Sequence, residues 1–201
     1  MKVLVACEFS GKVRDSFIKK GHEALSCDLL PSESNLGEHY QGDVRDILND
    51  GWDLMIAHPP CTHLSASGAR WFSEGLKSRQ LQIDALEFVK VLMDAPIERI
   101  CIENPVSIIS TQIKQPDQII HPYMFGHDAR KRTCLWLKNL PTLIPTKVVE
   151  PLLVTYKGKT FSHDYGGADL NYGKRRSVTY DGIANAMAAQ WGSVKNGGLN
   201  F

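Results

Sequence analysis

The sequence predicts a doubly wound α/β fold, in which helices cover both faces of a mostly parallel sheet. Short apolar runs at residues 3–7, 22–27 and 52–57 do not alternate with polar residues, which is typical of strands buried on both faces. A helical segment over 13–20 separates the first two runs, and this alternation favours parallel strands. Ligands bind at the carboxyl ends of strands in such folds, so the residues after each run are candidate site residues.

The later part of the chain continues this pattern and then changes character. Apolar spacing predicts a helix over 81–93, strands over 99–102 and 133–137, and an Ala-rich helix over 180–191 that ends at Gly192. Residues 138–175 are rich in Pro and Gly and predict an irregular insertion. A length of 201 residues fits one domain over 1–201.

Charge and cysteine content exclude several classes of protein. With 23 basic and 22 acidic residues the net charge is +1, so nucleic-acid binding must come from local clusters. Five cysteines without a Cys-x-x-Cys pair argue against a disulfide framework or structural zinc. The apolar N-terminus is too short for a signal peptide or membrane span. We expect a soluble protein of the cytoplasm, bacterial or phage-infected, without membrane association.

The first strand leads into a turn where a nucleotide-like cofactor lies in this fold. The turn residues are Glu8, Phe9, Ser10 and Gly11. Asp28 ends the next strand, about 20 residues on, where a carboxylate accepts hydrogen bonds from a ribose. Asp43 precedes a helix and could contact an adenine amino group. The alternatives are an ordinary strand-to-helix turn, a solvated Asp28 and a helix-capping Asp43.

A rigid exit follows the strand over 52–57, with the sequence His58-Pro59-Pro60-Cys61-Thr62-His63. The prolines have a fixed φ and lack amide hydrogens, so they hold the following side chain in place. An accessible thiolate there can act as a nucleophile. The alternatives are a buried structural cysteine and a metal site built on His58, Cys61 and His63, which lacks a second ligand pair at suitable spacing.

Glu103-Asn104-Pro105 follows the strand over 99–102 in the equivalent position. A carboxylate beside a thiol can give a proton to a ring nitrogen while the thiol attacks the ring; the alternative is an exposed loop glutamate. Two basic clusters, at 130–132 and 174–176, precede the late strand and the C-terminal part. Each is either a phosphate contact or a solvated charged face.

Taken in order, these motifs resemble those of the cytosine-C5 DNA methyltransferase family, in a minimal phage- or prophage-type form. Pro59-Pro60-Cys61 is similar to the family's catalytic motif, and Glu103-Asn104-Pro105 to its Glu-Asn-Val or Glu-Asn-Pro motif. Arg130-x-Arg132 is similar to its Arg-x-Arg element. Residues 176–179 and 182–187 resemble the closing motifs.

The resemblance implies a Rossmann-like class I methyltransferase sheet, S-adenosylmethionine as cofactor and no metal. It implies that Cys61 attacks C6 of cytosine while Glu103 protonates N3, and that Arg130 and Arg132 steady the base. The implied cofactor contacts are Glu8, Phe9, Ser10, Gly11, Asp28, Asp43, His58, Pro59 and Asn185. On duplex DNA the target base would be flipped out of the stack.

Departures from the family pattern leave the substrate open. The first turn has one glycine where the family has three, and Asp128 stands where the family has Gln. The insertion over 138–175 replaces a full recognition domain, so the substrate is DNA in a loose context, DNA read with a partner, or a free nucleotide such as dCMP. Two other classes remain: an adenine amino-methyltransferase, whose motif has an aromatic residue at the place of Cys61, and an inactive binding module, which needs neither Cys61 nor Glu103.

A loop over 62–80 combines small residues with cations, which predicts a mobile segment that closes over Cys61 on substrate binding. The alternative is a disordered surface loop. Contacts to DNA phosphates are expected from Arg70, Lys77, Arg79, Arg130, Arg132, Lys174, Arg175 and Arg176.

Overall fold

Seven strands form one sheet in the computed structural model, which describes residues 1–65, 72, 75–156, 158–162 and 177–193. In chain order they are β1 (Lys2–Ala6), β2 (Glu23–Asp28), β3 (His39–Gln41), β4 (Leu54–Ala57), β5 (Arg99–Pro105), β6 (Gln118–Ile120) and β7 (Thr133–Lys138). Their order across the sheet is β3-β2-β1-β4-β5-β7-β6. β7 pairs antiparallel with both β5 and β6, and the other four strand pairs in this sheet are parallel.

Helices cover both faces of the sheet. They are α1 (Lys12–Lys19), α2 (Gln80–Met93), the short α3 (Ile109–Gln112) and α4 (Asp181–Trp191). α1 and α4 pack on one face and α2 on the other. The predicted doubly wound α/β class is confirmed, and the mostly parallel sheet is consistent with a Rossmann-like methyltransferase fold. No helix within the described residues is long and apolar enough to cross a membrane.

The apolar runs are continuous because each central strand is buried on both faces. Val3 packs in the core beneath α1 and α4, whereas the next residue, Leu4, packs in the core beneath α2. Both side chains are fully buried. Since successive residues of a strand point to opposite faces, a strand covered on both sides favours apolar residues at consecutive positions.

One predicted boundary was wrong, and one region predicted to be irregular contains a short hairpin. The strand expected over 99–102 extends to Pro105, so Glu103 and Asn104 lie within β5 and pair with β7. The region 138–175, expected to be irregular, contains a separate hairpin of β8 (Leu153–Tyr156) and β9 (Lys159–Ser162). β-branched and aromatic residues on both sides of Gly158 favour this hairpin.

Candidate active site

The ends of β1, β4 and β5 meet at the carboxyl edge of the sheet. His58 directly follows β4, and its backbone N–H donates to the Ala6 carbonyl at the end of β1 (2.9 Å). β7 begins at Thr133, opposite Pro105 at the end of β5. The segment before β7 therefore reaches the same edge, which brings four parts of the chain to one place.

His58 and Glu103 form a buried pair at this edge. The His58 Nδ1 lies 3.0 Å from the Glu103 Oε2, and the two side chains are 8% and 15% exposed. Burial of an unpaired charge is strongly unfavourable, so pairing is the physical condition for keeping a carboxylate here.

The surroundings favour the charged form of both partners. Burial alone lowers the pKa of His58, but the hydrogen bond and charge of Glu103, with the charge of Glu8, raise it overall above 6.5. Burial alone raises the pKa of Glu103, but the hydrogen bond and charge of His58, with the charge of Lys131, lower it overall below 4.5. Between these values the pair is an imidazolium and a carboxylate.

The Pro-Pro-Cys exit is fixed to β5 by a side chain. The Asn104 Nδ2 donates to the Pro59 carbonyl over 2.7 Å, and Asn104 is 1% exposed. The chain then turns, because the Cys61 carbonyl accepts from the backbone N–H groups of Leu64 (3.1 Å) and Ser65 (2.9 Å). Cys61 and Glu103 thus stand on adjoining, mutually anchored segments of the same edge.

Cys61 differs from the other cysteines in exposure. All five lie in the described ranges, and Cys61 alone is exposed; Cys7 is partly buried and the other three are buried. Burial, with nearby negative charge, raises the pKa of Cys27 to about 12. Burial also raises the pKa values of Cys7, Cys101 and Cys134. The predicted nucleophile is the accessible thiol of the chain.

Limited alkylation with iodoacetamide is therefore expected to modify Cys61 first. We expect it to react at least about tenfold faster than any other cysteine, because reaction requires an accessible thiolate. Peptide mass spectrometry after short incubation measures the rates, and a Cys61→Ser variant should lack the fast phase. Equal labelling of Cys61 and Cys27 would contradict this assignment.

The Glu8 carboxylate, a predicted cofactor contact, forms hydrogen bonds within the protein. Its carboxylate accepts from the backbone N–H groups of Val13 (2.7 Å) and Arg14 (3.2 Å), and from the Ser10 hydroxyl (3.3 Å). It is 4% exposed, and it satisfies two backbone N–H groups in the first turn of α1, whose N-cap residue is Gly11. Gly11 has a φ of 73°, which favours glycine at the helix start. The site at which α1 could hold a phosphate is thus occupied by a carboxylate.

Asp28 and Asp43 both lie near the end of β1. Their charges, after burial, raise the pKa of Cys7. The Asp28 Oδ1 accepts from the Leu30 backbone N–H (2.9 Å). Asp43 caps the turn Val44–Asp46 and pairs with the Arg45 side chain, so the helix-capping alternative describes its contacts in this structure.

Sequence reasoning missed the apolar surface beside Asp28. Leu29 and Leu30 are 73% and 53% exposed. An apolar pair at the end of a strand, directly after a carboxylate, was the signal that could have identified it. The edge therefore offers both acceptors and an apolar surface, which a nucleoside requires.

Arg14 fixes the loop that follows this surface. Its side chain is fully buried, and its guanidinium donates to the hydroxyl of Ser26 (2.9 Å) and to the carbonyls of Ser34 (3.1 Å) and Glu38 (3.3 Å). It also pairs with Asp15. One side chain of α1 thus holds the loop between β2 and β3.

Replacing Arg14 with Met is expected to lower the free energy of unfolding by about 3 kcal/mol, because buried acceptors and Asp15 lose their partner. Urea denaturation measures this. Lys12→Met is the matched control on the same helix; its ion pair with Asp181 is exposed, and its loss should cost less than about 1 kcal/mol. Equal losses would show that the Arg14 contacts do not stabilise the fold.

The three side chains of the basic cluster before β7 differ in exposure. Arg130 and Arg132 are exposed, whereas Lys131 is partly buried and its charge acts on both His58 and Glu103. Sequence reasoning selected the two arginines and missed Lys131, and it interpreted His58 only as a cofactor contact.

Asn185 connects α4 to α1. The Asn185 Oδ1 accepts from the Ser16 hydroxyl over 3.1 Å. Gly182 lies against the Phe125 carbonyl, where an added Cβ would be 1.8 Å from the oxygen, and its N–H donates to the His127 Nε2 (2.9 Å). These contacts fasten α4 to α1 and to the segment over 125–127.

Several expected DNA contacts lie outside the described residues: Arg70, Lys174, Arg175 and Arg176, with much of the 62–80 loop. Within it, the Lys77 Nζ lies 5.9 Å from the centre of the Phe72 ring, and the exposed Arg79 directly precedes α2. No group of three or more His, Cys, Asp or Glu among the described residues could hold a metal ion.

No family model and no curated protein sequence matches the chain. A solved structure with some similarity is that of a protein encoded within an E. coli prophage, provisionally described as a DNA modification methyltransferase. The sequences are 13% identical and the TM-score is 0.49; the match covers 75% of this chain and 52% of that one. The chain spans about half the length of that protein. Similarity at this level bears on neither the reaction nor the substrate.

Proposed function

We propose that the chain transfers a methyl group from S-adenosylmethionine to C5 of cytosine in DNA, through a covalent bond between the Cys61 Sγ and C6. The observation that carries the proposal is the meeting of an exposed thiol and a buried, paired carboxylate at one sheet edge. The Pro59–Asn104 hydrogen bond joins their two segments. A thiol nucleophile with a proton carrier is the combination that attack on a cytosine ring requires.

The residues at the first turn fit S-adenosylmethionine better than a dinucleotide. Because the Glu8 carboxylate occupies the N-terminus of α1, a pyrophosphate has no place there. Asp28 and Asp43 offer acceptors for ribose hydroxyls and an adenine amino group, and Leu29 offers an apolar surface for the base. When bound, the cofactor supplies an electrophilic methyl group on a sulfonium.

Covalent attack answers a specific chemical difficulty. C5 of cytosine is a poor nucleophile, and the ring must gain electron density before it takes a methyl group. Attack of the Cys61 thiolate on C6, with proton transfer from Glu103 to N3, moves the ring electrons toward C5. C5 would then take the methyl group, and loss of the C5 proton to a base would expel Cys61 and restore the ring.

Exposed cations next to this edge suit a polyanionic substrate. Arg130 and Arg132 project from the segment that carries Lys131 toward the buried pair. Such side chains position a phosphate backbone or a nucleotide phosphate without reading bases. Their position fits DNA as substrate. It also fits the second candidate, a free cytosine nucleotide, since the β8–β9 hairpin is the only regular element in the described part of the insertion after β7.

Incubation with methyl-labelled S-adenosylmethionine tests the proposal. Duplex DNA of random sequence, single-stranded DNA and dCMP are offered separately, and the nucleosides are analysed by mass. We expect 5-methylcytosine in the DNA reactions. Label in dCMP alone would move the substrate to the free nucleotide, label on adenine or on N4 of cytosine would contradict the C5 chemistry, and label in none would contradict methyl transfer.

A further inference from the structure

The pairing of His58 with Glu103 assigns His58 a role outside the Pro-Pro-Cys segment on which the family resemblance rests. We propose that His58 is a positioning residue that holds Glu103 in place and stores the proton that Glu103 delivers to the cytosine ring. This inference rests on the proposed function, and it adds the source of the proton to it.

The local geometry restricts His58 to this interaction. The His58 ring is 8% exposed and its Nδ1 is 3.0 Å from the carboxylate. The backbone N–H of His58 is held by Ala6, and the following residue, Pro59, is held by Asn104. With both sides of the residue fixed, the ring has little freedom to leave Glu103.

The charged groups facing His58 come from three elements. Glu103 lies on β5, Glu8 on the turn after β1, and Lys131 on the segment before β7. The Glu8 carboxylate already accepts hydrogen bonds from α1, so Glu103 is the carboxylate that shares a proton with the ring. Two negative charges against one positive charge favour the imidazolium, and the pKa of His58 is raised accordingly.

Glu103 is ionised before substrate binds, so it needs a proton donor before it can protonate N3. An ionised carboxylate has no proton to give to N3, and the surroundings lower the pKa of Glu103. His58 is the hydrogen-bonded neighbour from which it can take one. The remaining ring nitrogen, Nε2, is buried without a hydrogen-bond partner within the described residues, so no other group there competes for the ring by hydrogen bonding.

The step balances in protons and electrons. A thiolate electron pair of Cys61 forms the bond to C6, the C5–C6 π pair shifts to C4–C5, and the C4–N3 π pair becomes the N3 bond to hydrogen. That proton comes from Glu103, which takes one from the His58 Nδ1 and leaves a neutral imidazole. After methyl transfer, a base removes the C5 proton and the sulfur leaves C6. The N3 proton then returns through Glu103 to His58.

Histidine NMR tests the pair without any substrate. In uniformly nitrogen-15-labelled protein we expect the pKa of His58 to lie above 6.5. In Glu103→Gln we expect it to fall below that value, because burial is the largest influence and the more distant Glu8 then provides the remaining negative charge alone. His22, whose pKa is lowered chiefly by burial, is the internal control and should not move. A His58 that titrates at or below 6.5 in the parent protein, or is unmoved by Glu103→Gln, would overturn the inference.

The kinetics of a His58→Asn variant show whether His58 supplies a proton to Glu103 or only holds it in position. Asparagine keeps a neutral donor near the Nδ1 position but cannot carry the proton, so we expect kcat to fall by about 100-fold with KM within about threefold. The alkaline limb of the kcat/KM profile should move to lower pH, because buried Glu103 must then take its proton from solvent. An unmoved limb would contradict the inference. Absence of transfer by the parent protein would defeat the proposed function, while the NMR titration would still decide the pair.

Discussion

Replacing Cys61 with Ser is expected to lower the rate of methyl transfer by about four orders of magnitude or more, the scale of loss when a covalent nucleophile is removed. The serine hydroxyl has a far higher pKa than a thiol, so it contributes almost no anion to attack C6 at neutral pH. Single-turnover transfer of the labelled methyl group, with DNA saturating, measures the chemical step.

The fold should tolerate this change, because Cys61 is exposed and a serine keeps the backbone carbonyl that accepts the turn hydrogen bonds. We expect the free energy of unfolding to change by less than about 0.5 kcal/mol, with cofactor binding retained in calorimetry. Thr62→Ala, at the adjacent exposed position, is the matched control and should retain transfer within about threefold. Undiminished transfer by Cys61→Ser would rule out the covalent mechanism.

Replacing Glu103 with Gln is expected to lower kcat by about 10²- to 10⁴-fold, the range for a general acid or base. Glutamine preserves the shape of the side chain and can still contact His58, but it cannot pass a proton to N3. Asp117→Asn is the matched control: its carboxylate accepts from the Leu137 backbone N–H, away from the site, and transfer should be unaffected. A loss confined to KM would show that Glu103 binds the base without protonating it.

The same variant has a pH-dependent effect on stability. Because folding lowers the pKa of Glu103, its carboxylate stabilises the fold above pH 4.5. This contribution is lost as the pH falls through the pKa of Glu103 in the folded state. Because folding raises the pKa of His58, its imidazolium stabilises the fold below pH 6.5. This contribution is lost as the pH rises through the pKa of His58 in the folded state. The difference in unfolding free energy between the parent and Glu103→Gln should therefore be largest between pH 4.5 and 6.5.

Strands buried on both faces were predictable because their environment is recorded in the sequence itself. β4, and β1 from Val3 onward, have no polar position, since both faces lie in a core. β5 was predicted too short because Glu103 and Asn104 are polar yet lie within it. Their pairing with the antiparallel β7, a contact between distant segments, extends the strand beyond its apolar part.

The contacts of the candidate site were less predictable than its members. Cys61 and Glu103 could be selected because each follows an apolar run. The partner of Glu103 could not, because His58 lies 45 residues away and no local pattern encodes that contact. The hydrogen bonds from α1 to the Glu8 carboxylate likewise depend on the positive φ of Gly11, which sets the direction in which α1 leaves the turn. Local sequence indicates which residues reach the edge, and tertiary packing decides which of them pair.

The most direct test of the central claim is the intact mass of the protein after incubation with S-adenosylmethionine and a cytosine analogue that bears fluorine at C5. A random-sequence duplex containing this base and 5-fluoro-dCMP are offered in parallel. A base cannot remove fluorine as it removes the C5 proton, so the bond between Cys61 and C6 should persist. The expected result is an increase by the mass of methylated nucleotide or oligonucleotide, mapped to the Cys61 peptide and absent in Cys61→Ser. The contradicting result is 5-methylcytosine formed from the normal substrate with no adduct on Cys61.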